Sequence, residues 1–556
     1  VTDPPAPPSP NARRPAARPR ALAAAAALVL AACAGPGPGP GRRGADAAPP
    51  VPAGAAPATV IEDLRREADA MRASTLDARR VDRATGGVDA LALQQVVALG
   101  WNRWLDAQLH PRPWQPPPAV AEALARMRIE REPLAQRVRA DAAQRKAADA
   151  TKDDDARKAA QQAYQRTLNE EADEAARRWL LRAVDSPEQL QERMTWFWVN
   201  HFNVGQAKAD LRAYVGDYEA TLRAHALGRF RDLLEASVLH PAMLRYLDNE
   251  HNAAGQLNEN YARELLELHT LGVDAGYTQA DVQEMARVLT GLGVRVEVAD
   301  AQLRPPLQAQ YVRQGLVEFN PARHDAGDKR VFGLVVHPAG IAEVRQMLDV
   351  LARSPATARH VSAQLAQYFV GDAPPPALVE RLAQRWIATD GDIAAVLKTL
   401  LTSPEFDASL GTRFKDPWQY VVSATRLAYD GSPVVDAQPL LGALRQLGEA
   451  PFAHETPEGY AMTEQAWASP GQMTARFDVA RSLVGGSGGG NPSLFRIDGV
   501  AVPGAPPKAR VESPAWLRTQ APRESEATRE ALAATLAARP GDWAWAAIAS
   551  PEFMRN

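Results

Sequence analysis

The sequence predicts an all-α protein, a multi-helix array with long loops and few short strands. Three observations carry this expectation. Helix-start signals recur: Ser186-Pro187-Glu188-Gln189 reads as a capping residue, a proline in the first turn and an amide three positions on, and Ser403-Pro404-Glu405 repeats the pattern. Thr278 with Asp281 is a weaker version, because the third position of a capping box is usually Glu or Gln. Apolar residues return at helical spacing, as in Tyr164, Leu168, Ala172 and Ala175, whereas period-two stretches such as Val294 to Val298 are short and scarce.

At the N-terminal end, Arg13, Arg14, Arg18 and Arg20 precede the apolar run Ala21 to Ala32, and small residues follow. This is the pattern of a secretory signal, and the run is too short to span a bilayer as an ordinary helix. Leu30-Ala31-Ala32-Cys33 resembles the lipobox of bacterial lipoproteins. That resemblance implies cleavage after residue 32 and lipid on Cys33, the only cysteine; several acyl chains anchor stably where one alone binds marginally. The alternative is an ordinary signal peptide, with Cys33 a free thiol or discarded. Ala34, in place of an aspartate, implies sorting to the outer membrane in a cell that has one, which puts the protein in the cell envelope, on the periplasmic side of that membrane or outside the cell.

Residues 33–59 are rich in Gly, Pro and Ala and read as a tether that cannot bury enough apolar surface to fold. Residues 60–484 read as a helical domain, with a charged helical arm at about 120–183. There Ala, Arg, Glu, Gln and Lys favour helix, and Thr151 to Asp155 marks a turn between two long arms. No hydrophobic heptad persists, so the arm reads as a solvated hairpin rather than a partner-binding coil. Further helices are expected at about 217–236, 258–272, 279–291, 340–371 with a break at Pro355, 375–388, 391–402, 415–428, 437–448 and 472–484. Residues 485–492 form a glycine-rich linker, and 493–556 a C-terminal segment, either part of the same domain or a small helical appendage.

Composition sets limits. Residues 1–32 carry four arginines and one aspartate, so their removal takes the formal charge from −3 to −6. A weakly acidic chain has no global electrostatic case for binding nucleic acid. The glycines at 485–490 are not a phosphate loop, since no Gly-Lys-Ser/Thr follows and no strand precedes them. With no Gly-x-Ser-x-Gly elbow and Cys33 committed to export, serine and cysteine acyl-enzyme chemistry lacks support.

The densest polar region runs from Gly255 to Gly291. Asn260, Glu264 and Glu267 fall on one helical face, with Arg263 one turn from Glu259. Two carboxylates three apart can hold a divalent cation or act as acid and base. His269 points away from that stripe on an ideal helix, and with Leu265 and Leu266 makes a core face with a buried, hydrogen-bonded imidazole. Two other regions can complete a pocket: Asn200, His201 and Asn203 after three aromatics, and the loop that carries Arg323, His324, Asp325, Asp328 and Lys329. Glu264, Glu267, His324 and Asp325 are therefore the candidate catalytic set, and also the candidate ligands of a divalent metal. Asn260, Arg263, His201 and Lys329 are candidate binding groups, although Lys329 has a competing role as the partner of Asp325. Asp248 to His251 reads as a turn.

Met194-TWFWVNHF-202, His225-ALGRFRDLL-234, His240-PAMLRYLDN-249, Gly255-QLNENYARELLELHTLGVDAGYTQADVQEMARVLTG-291, His324-DAGDK-329, Val331-Phe-Gly333 and Leu400-LTSPEF-406 resemble, in order, the signatures of the family called domain of unknown function 1800. The resemblance covers roughly residues 60–484. It implies an exported, mainly helical bacterial protein, often encoded near an exported protein of the sulfatase-like type, and brings no catalytic set. The chain departs from the family pattern at Val199, where a second histidine is common, and at Leu292, where tryptophan is usual. The arm is also longer and more charged.

Two classes follow: a metal-assisted or acid/base hydrolase of the envelope, with the four catalytic candidates converging on a solvent-reachable concavity, or a non-enzymatic scaffold acting with an exported partner, with those groups dispersed or mutually neutralised and an apolar patch exposed. The lipid anchor is directly testable. Expressed with residues 1–32, the protein is expected to incorporate labelled palmitate and to partition into detergent, and Cys33→Ser to do neither; label retained by the variant contradicts the assignment.

Overall fold

The computed structural model describes residues 74–485, 489–504 and 506–556. The expected signal peptide, Cys33, the tether and residues 486–488 of the linker lie outside the described residues. Helices dominate, and the described strands are at most three residues long. β1 (Leu292–Val294), β2 (Val312–Gln314) and β3 (Val317–Phe319) form an antiparallel sheet in the order β1-β3-β2, and β4 (Lys329–Val331) pairs with β5 (Leu334–Val336) as a hairpin. The protein is all-α in class, and no described helix is long and apolar enough to cross a membrane.

The charged arm is a hairpin of α1 (Leu134–Asp149) and α2 (Asp154–Asp185), with Asp153 capping α2 through the Ala156 N–H at 2.8 Å. Its outer half is solvated, but its root is not. There Arg137 Nη1 meets Glu171 Oε2 at 2.6 Å, and Arg128 reaches Asp141 at 3.0 Å. Burial pushes the Glu171 carboxyl up to about 7. Paired charge, which binary patterning does not show, ties the arm to the body.

α3 (Gln189–His201) is buried nearly all round. The expected Ser186 cap is not used: α3 begins after Glu188 without a side-chain cap. The signal residues instead build the preceding turn, where Ser186 Oγ accepts the Glu188 N–H at 3.1 Å and the Gln189 amide reaches back to the Ser186 and Ala183 carbonyls at 2.7 and 2.9 Å. α3 threads an aromatic column. Trp196 lies 5.1 Å from Trp179 of α2 and 5.3 Å from Trp418 of α10 (Pro417–Ala428), and Phe452 is 5.5 Å from Trp179. Such pairs add about 0.5–1.5 kcal/mol each beyond area burial. The two charges of α3 are compensated: Glu192 takes Arg223, while Arg193 lies 4.2 Å from the Tyr368 ring and donates to Gln419 Oε1 at 2.9 Å.

The single helix expected at 217–236 is two, α4 (Val215–His225) and α5 (Phe230–Val238). Between them the Phe230 N–H bonds Gly391 O at 2.9 Å, so a long-range backbone bond overrides local propensity. α6 (Asn260–Glu267) and α7 (Gln279–Leu289) carry the polar signature; Thr278 and Asp281 complete their capping box despite the shorter acid. α8 (Ile341–Ala352) and α9 (Pro355–Phe369) break at the expected proline, with Ser354 as cap. α11 (Pro470–Val484) leads to the linker, whose flanks are docked: Tyr429 Oη accepts the Asn491 N–H at 2.5 Å and donates to Leu483 O at 2.6 Å. Beyond it, helix Trp543–Ile548 packs on α11, and Tyr420 Oη reaches Ile548 O at 3.3 Å.

Candidate functional site

α6 stops at Glu267. The His269 N–H bonds Glu264 O at 3.1 Å, and the Leu271 and Gly272 N–H groups both return to Leu266 O, at 2.9 and 3.2 Å. Gly272 lies in the left-handed region at φ 88°, and a Cβ there would sit 2.9 Å from His360 Nδ1, so conformation and space both require glycine. This termination leaves the carbonyls of Leu268 and His269 without helical partners. Two imidazoles supply them: His360 Nε2 lies 3.3 Å from Leu268 O and His201 Nε2 3.2 Å from His269 O. Two of the sequence motifs and α9 therefore meet, with His201 centred 6.2 Å from the His269 ring and 6.5 Å from that of His360.

The cluster is desolvated and neutral. Burial holds the His201 imidazole down at about 3, and burial together with the neighbouring imidazoles holds His269 far below its ordinary range; His360 is lowered by burial too. A helix C-terminus favours a cationic histidine by about 0.3–1 kcal/mol, and here desolvation outweighs it. His269 is buried on the core face, as its spacing suggests, but among the described residues its Nε2 has no hydrogen-bond partner, which corrects the expected hydrogen-bonded ring.

The acidic face of α6 points the other way. Arg263 Nη2 donates to Gln279 Oε1 at 2.8 Å and lies 3.4 Å from Glu259, while its Nη1 is 3.5 Å from Glu267; Asn260 Nδ2 reaches Leu247 O at 3.4 Å. The Glu264 side chain is half-buried and hydrogen-bonded to none of the described residues. Burial raises its carboxyl pKa, with further contributions from Glu267 and Glu458. Glu458 arrives on a loop held by Asn200, which bonds both the N–H and the carbonyl of Tyr460 at 2.6 and 2.9 Å, and by Asn203, which reaches Thr456 O at 2.7 Å. Asp248 to His251 is a short turn, as expected.

The loop candidates are consumed elsewhere. His324 Nε2 lies 2.9 Å from Glu343 Oε1, and its Nδ1 lies 2.9 Å from Thr290 O. Lys329 Nζ donates to the other Glu343 oxygen at 2.5 Å and to the Asp325 carbonyl. Glu343 also accepts the Ala339 and Gly340 N–H groups at 2.8 and 3.0 Å, which starts α8. Lys329 and Glu343 have no exposed side-chain surface, and these donors hold the Glu343 carboxyl down at about 2 against burial. Asp325 takes Arg287 through two 2.9 Å contacts and is held at about 2. Lys329 thus pairs with Glu343 and only with the backbone of Asp325. Sequence reasoning missed Glu343, Arg287 and Thr290. Glu343 was visible as an acid three residues after Gly340 at a helix start.

The two halves of the candidate set do not converge. Arg263 ties the α6 carboxylates to Gln279 at the start of α7, and Asp325 is tied to Arg287 near its end. Eight residues of helix separate these attachments by about 12 Å. Among the described residues no three His, Cys, Asp or Glu side chains are arranged to hold a metal ion, so Glu264, Glu267, His324 and Asp325 do not fit a divalent cation as one ligand set. His201 belongs to the imidazole cluster, on neither side.

Two predictions follow from these networks. Lys329→Met leaves a buried carboxylate with one cation partner fewer and is expected to cost about 3–5 kcal/mol in urea unfolding; a variant as stable as the parent contradicts the network. For His201 the unfolded chain takes up a proton below about pH 6.5 and the folded chain does not, so its contribution is complete above that pH and is lost as pH falls toward 3. Glu171 and Asp185, pushed up to about 7, act in the opposite sense, so the comparison is with His201→Gln. The parent's stability relative to that variant should fall by about 2 kcal/mol between pH 7 and pH 5; a difference independent of pH contradicts it.

Compared with known proteins, no curated protein and no solved structure matches the chain. A family model described as "Protein of unknown function (DUF1800)" matches residues 79–555, so the signatures belong to a unit that extends past the linker to the last helix. The chain belongs to that family.

Proposed function

We propose that this protein is a lipid-anchored, non-enzymatic scaffold or binding protein of the cell envelope, acting with an exported partner for which a sulfatase-like protein is the leading candidate. The observation that carries this reading is the closed network at His324, Asp325, Lys329 and Glu343: every charged group there has its partner inside the protein, and Lys329 and Glu343 are shut from solvent. A general base or metal ligand needs a free lone pair facing substrate.

A second feature supports binding. Helix Ala90–Leu99 leaves Leu91, Val97 and Leu99 exposed by 49, 53 and 46%, three apolar side chains spread around its solvent side without a cover among the described residues. The lipid anchor at Cys33 supplies the address in this reading, and the Gly/Pro/Ala-rich tether the reach.

One observation favours the second reading, acid/base hydrolysis. Glu264 is half-buried, unbonded and raised in pKa beside two more carboxylates, the setting in which a carboxylic acid stays protonated long enough to donate. A divalent metal has a place in that reading only at the α6 face, without His324 and Asp325.

Native purification after mild detergent release separates the two. The scaffold reading expects a stoichiometric companion that is lost in Leu91→Ser/Val97→Ser, with no hydrolysis of envelope polymers. Absence of a companion, together with hydrolysis abolished by Glu264→Gln, overturns it in favour of the second.

A further inference from the structure

Away from both polar networks, a cavity of about 120 Å³ lies between helix Pro118–Arg126, the middle of α2, the approach to helix Gln438–Leu447 and the turn of the hairpin Arg496–Ile497/Val500–Ala501. That volume equals about four waters. Arg126 Nη1 pairs with Asp498 at 2.8 Å and fastens the hairpin over it. Leu181 and Val435 give the cavity apolar wall, and the remaining charged side chains that line it are Arg177, Arg496, Glu174 and Asp436.

These four share a cavity, yet among the described residues none of them forms an ion pair. Glu174 Oε2 takes the Ile129 N–H at 3.1 Å, and Asp436 Oδ1 takes the Gln438 N–H at 2.8 Å. Arg496 Nε is spent on Gly499 O at 2.8 Å, and Arg177 Nε is buried without a partner among the described residues. An unmade hydrogen bond at the buried Arg177 Nε is costly, although Arg496 is exposed and the Arg177, Glu174 and Asp436 side chains are half-buried. Guanidinium groups offer paired N–H donors matched to a carboxylate. A simple anion would answer the two arginines and be repelled by the two carboxylates. A simple cation would meet the reverse. A ligand bearing both charges a few ångströms apart answers all four, and the apolar wall leaves room for a short aliphatic group.

We propose that this cavity binds a free, small α-amino acid, with its carboxylate on Arg177 and Arg496, its ammonium on Glu174 and Asp436, and its side chain against Leu181 and Val435. The site is independent of the scaffold reading and of the groups around Glu264. Calorimetric titration of the full chain with glycine, L-alanine and D-alanine tests it, with acetate, methylamine and inorganic phosphate as single-charge probes. At least one amino acid is expected to bind saturably at one site and to raise the melting temperature. Arg177→Gln and Asp436→Asn are each expected to weaken binding about tenfold or more. Arg496→Gln, on the exposed hairpin, provides the same test should the α2 variant fold poorly. Binding by none of the three, acetate or phosphate binding as tightly as the amino acid, or unchanged affinity in folded variants would each overturn the proposal.

Discussion

The arrangement of the polar signature rests on how α6 ends. A helix that stops inside a protein leaves carbonyl groups that water cannot reach. Here two of them, Leu268 O and His269 O, are answered by imidazole N–H groups from α9 and α3. A neutral imidazole is suited to this: it donates one hydrogen bond, stacks on aromatics and brings no charge into a dry core. His201 does all three, lying 6.1 Å from Phe197 in a stacked arrangement and 4.4 Å edge-on to Phe202. With the end of α6 clamped, its acidic face is fixed outward and the Glu458 loop meets Glu264 in a defined place.

The charged groups elsewhere follow one economy. Taking a charge out of water costs several kcal/mol, and at two places a buried carboxylate is met by its counter-charges. Glu343 is the fullest case, with four donors on one carboxylate joining the His324 loop, β4 and the start of α8. Glu171 performs the same task at the root of the arm with Arg128 and Arg137. Residues that resemble reactive groups in the sequence hold the fold in these places. Glu264 stands apart because burial and then its acidic neighbours oppose its ionisation, and among the described residues no cation lies within hydrogen-bonding reach of it.

Much of this fold was legible in the sequence. Helix starts at Gln279, Pro355 and Pro404 follow local capping chemistry, and the turn at Thr151 to Asp155 and the break at Pro355 were readable for the same reason, whereas α3 starts at Gln189 without the expected Ser186 cap. The break at residues 226–229 was not, because it depends on a backbone bond to Gly391, far along the chain. The site was legible only as an inventory. His201, Glu264, Glu267, His324 and Asp325 are conspicuous by type, but their grouping depends on which end of α7 each attaches to. His360 drew no notice, as nothing local marks it as the third imidazole. The family resemblance placed the signatures in order yet ended its span at 484, before the helices that pack on α11.

The most direct test is the protonation state of the clamp. On protein labelled at the histidine ring nitrogens, two-bond ¹H–¹⁵N correlation spectra between pH 7 and pH 5 report each tautomer and charge. The account predicts that His201 stays neutral, with the proton on Nε2, and shows no change at pH 5, and that His360 carries its proton on Nε2 at pH 7 and titrates below the ordinary imidazole range. A His201 signal that moves to the imidazolium position with a midpoint near pH 6.5 would contradict it, because a charged ring there is incompatible with a dry, carbonyl-capping imidazole.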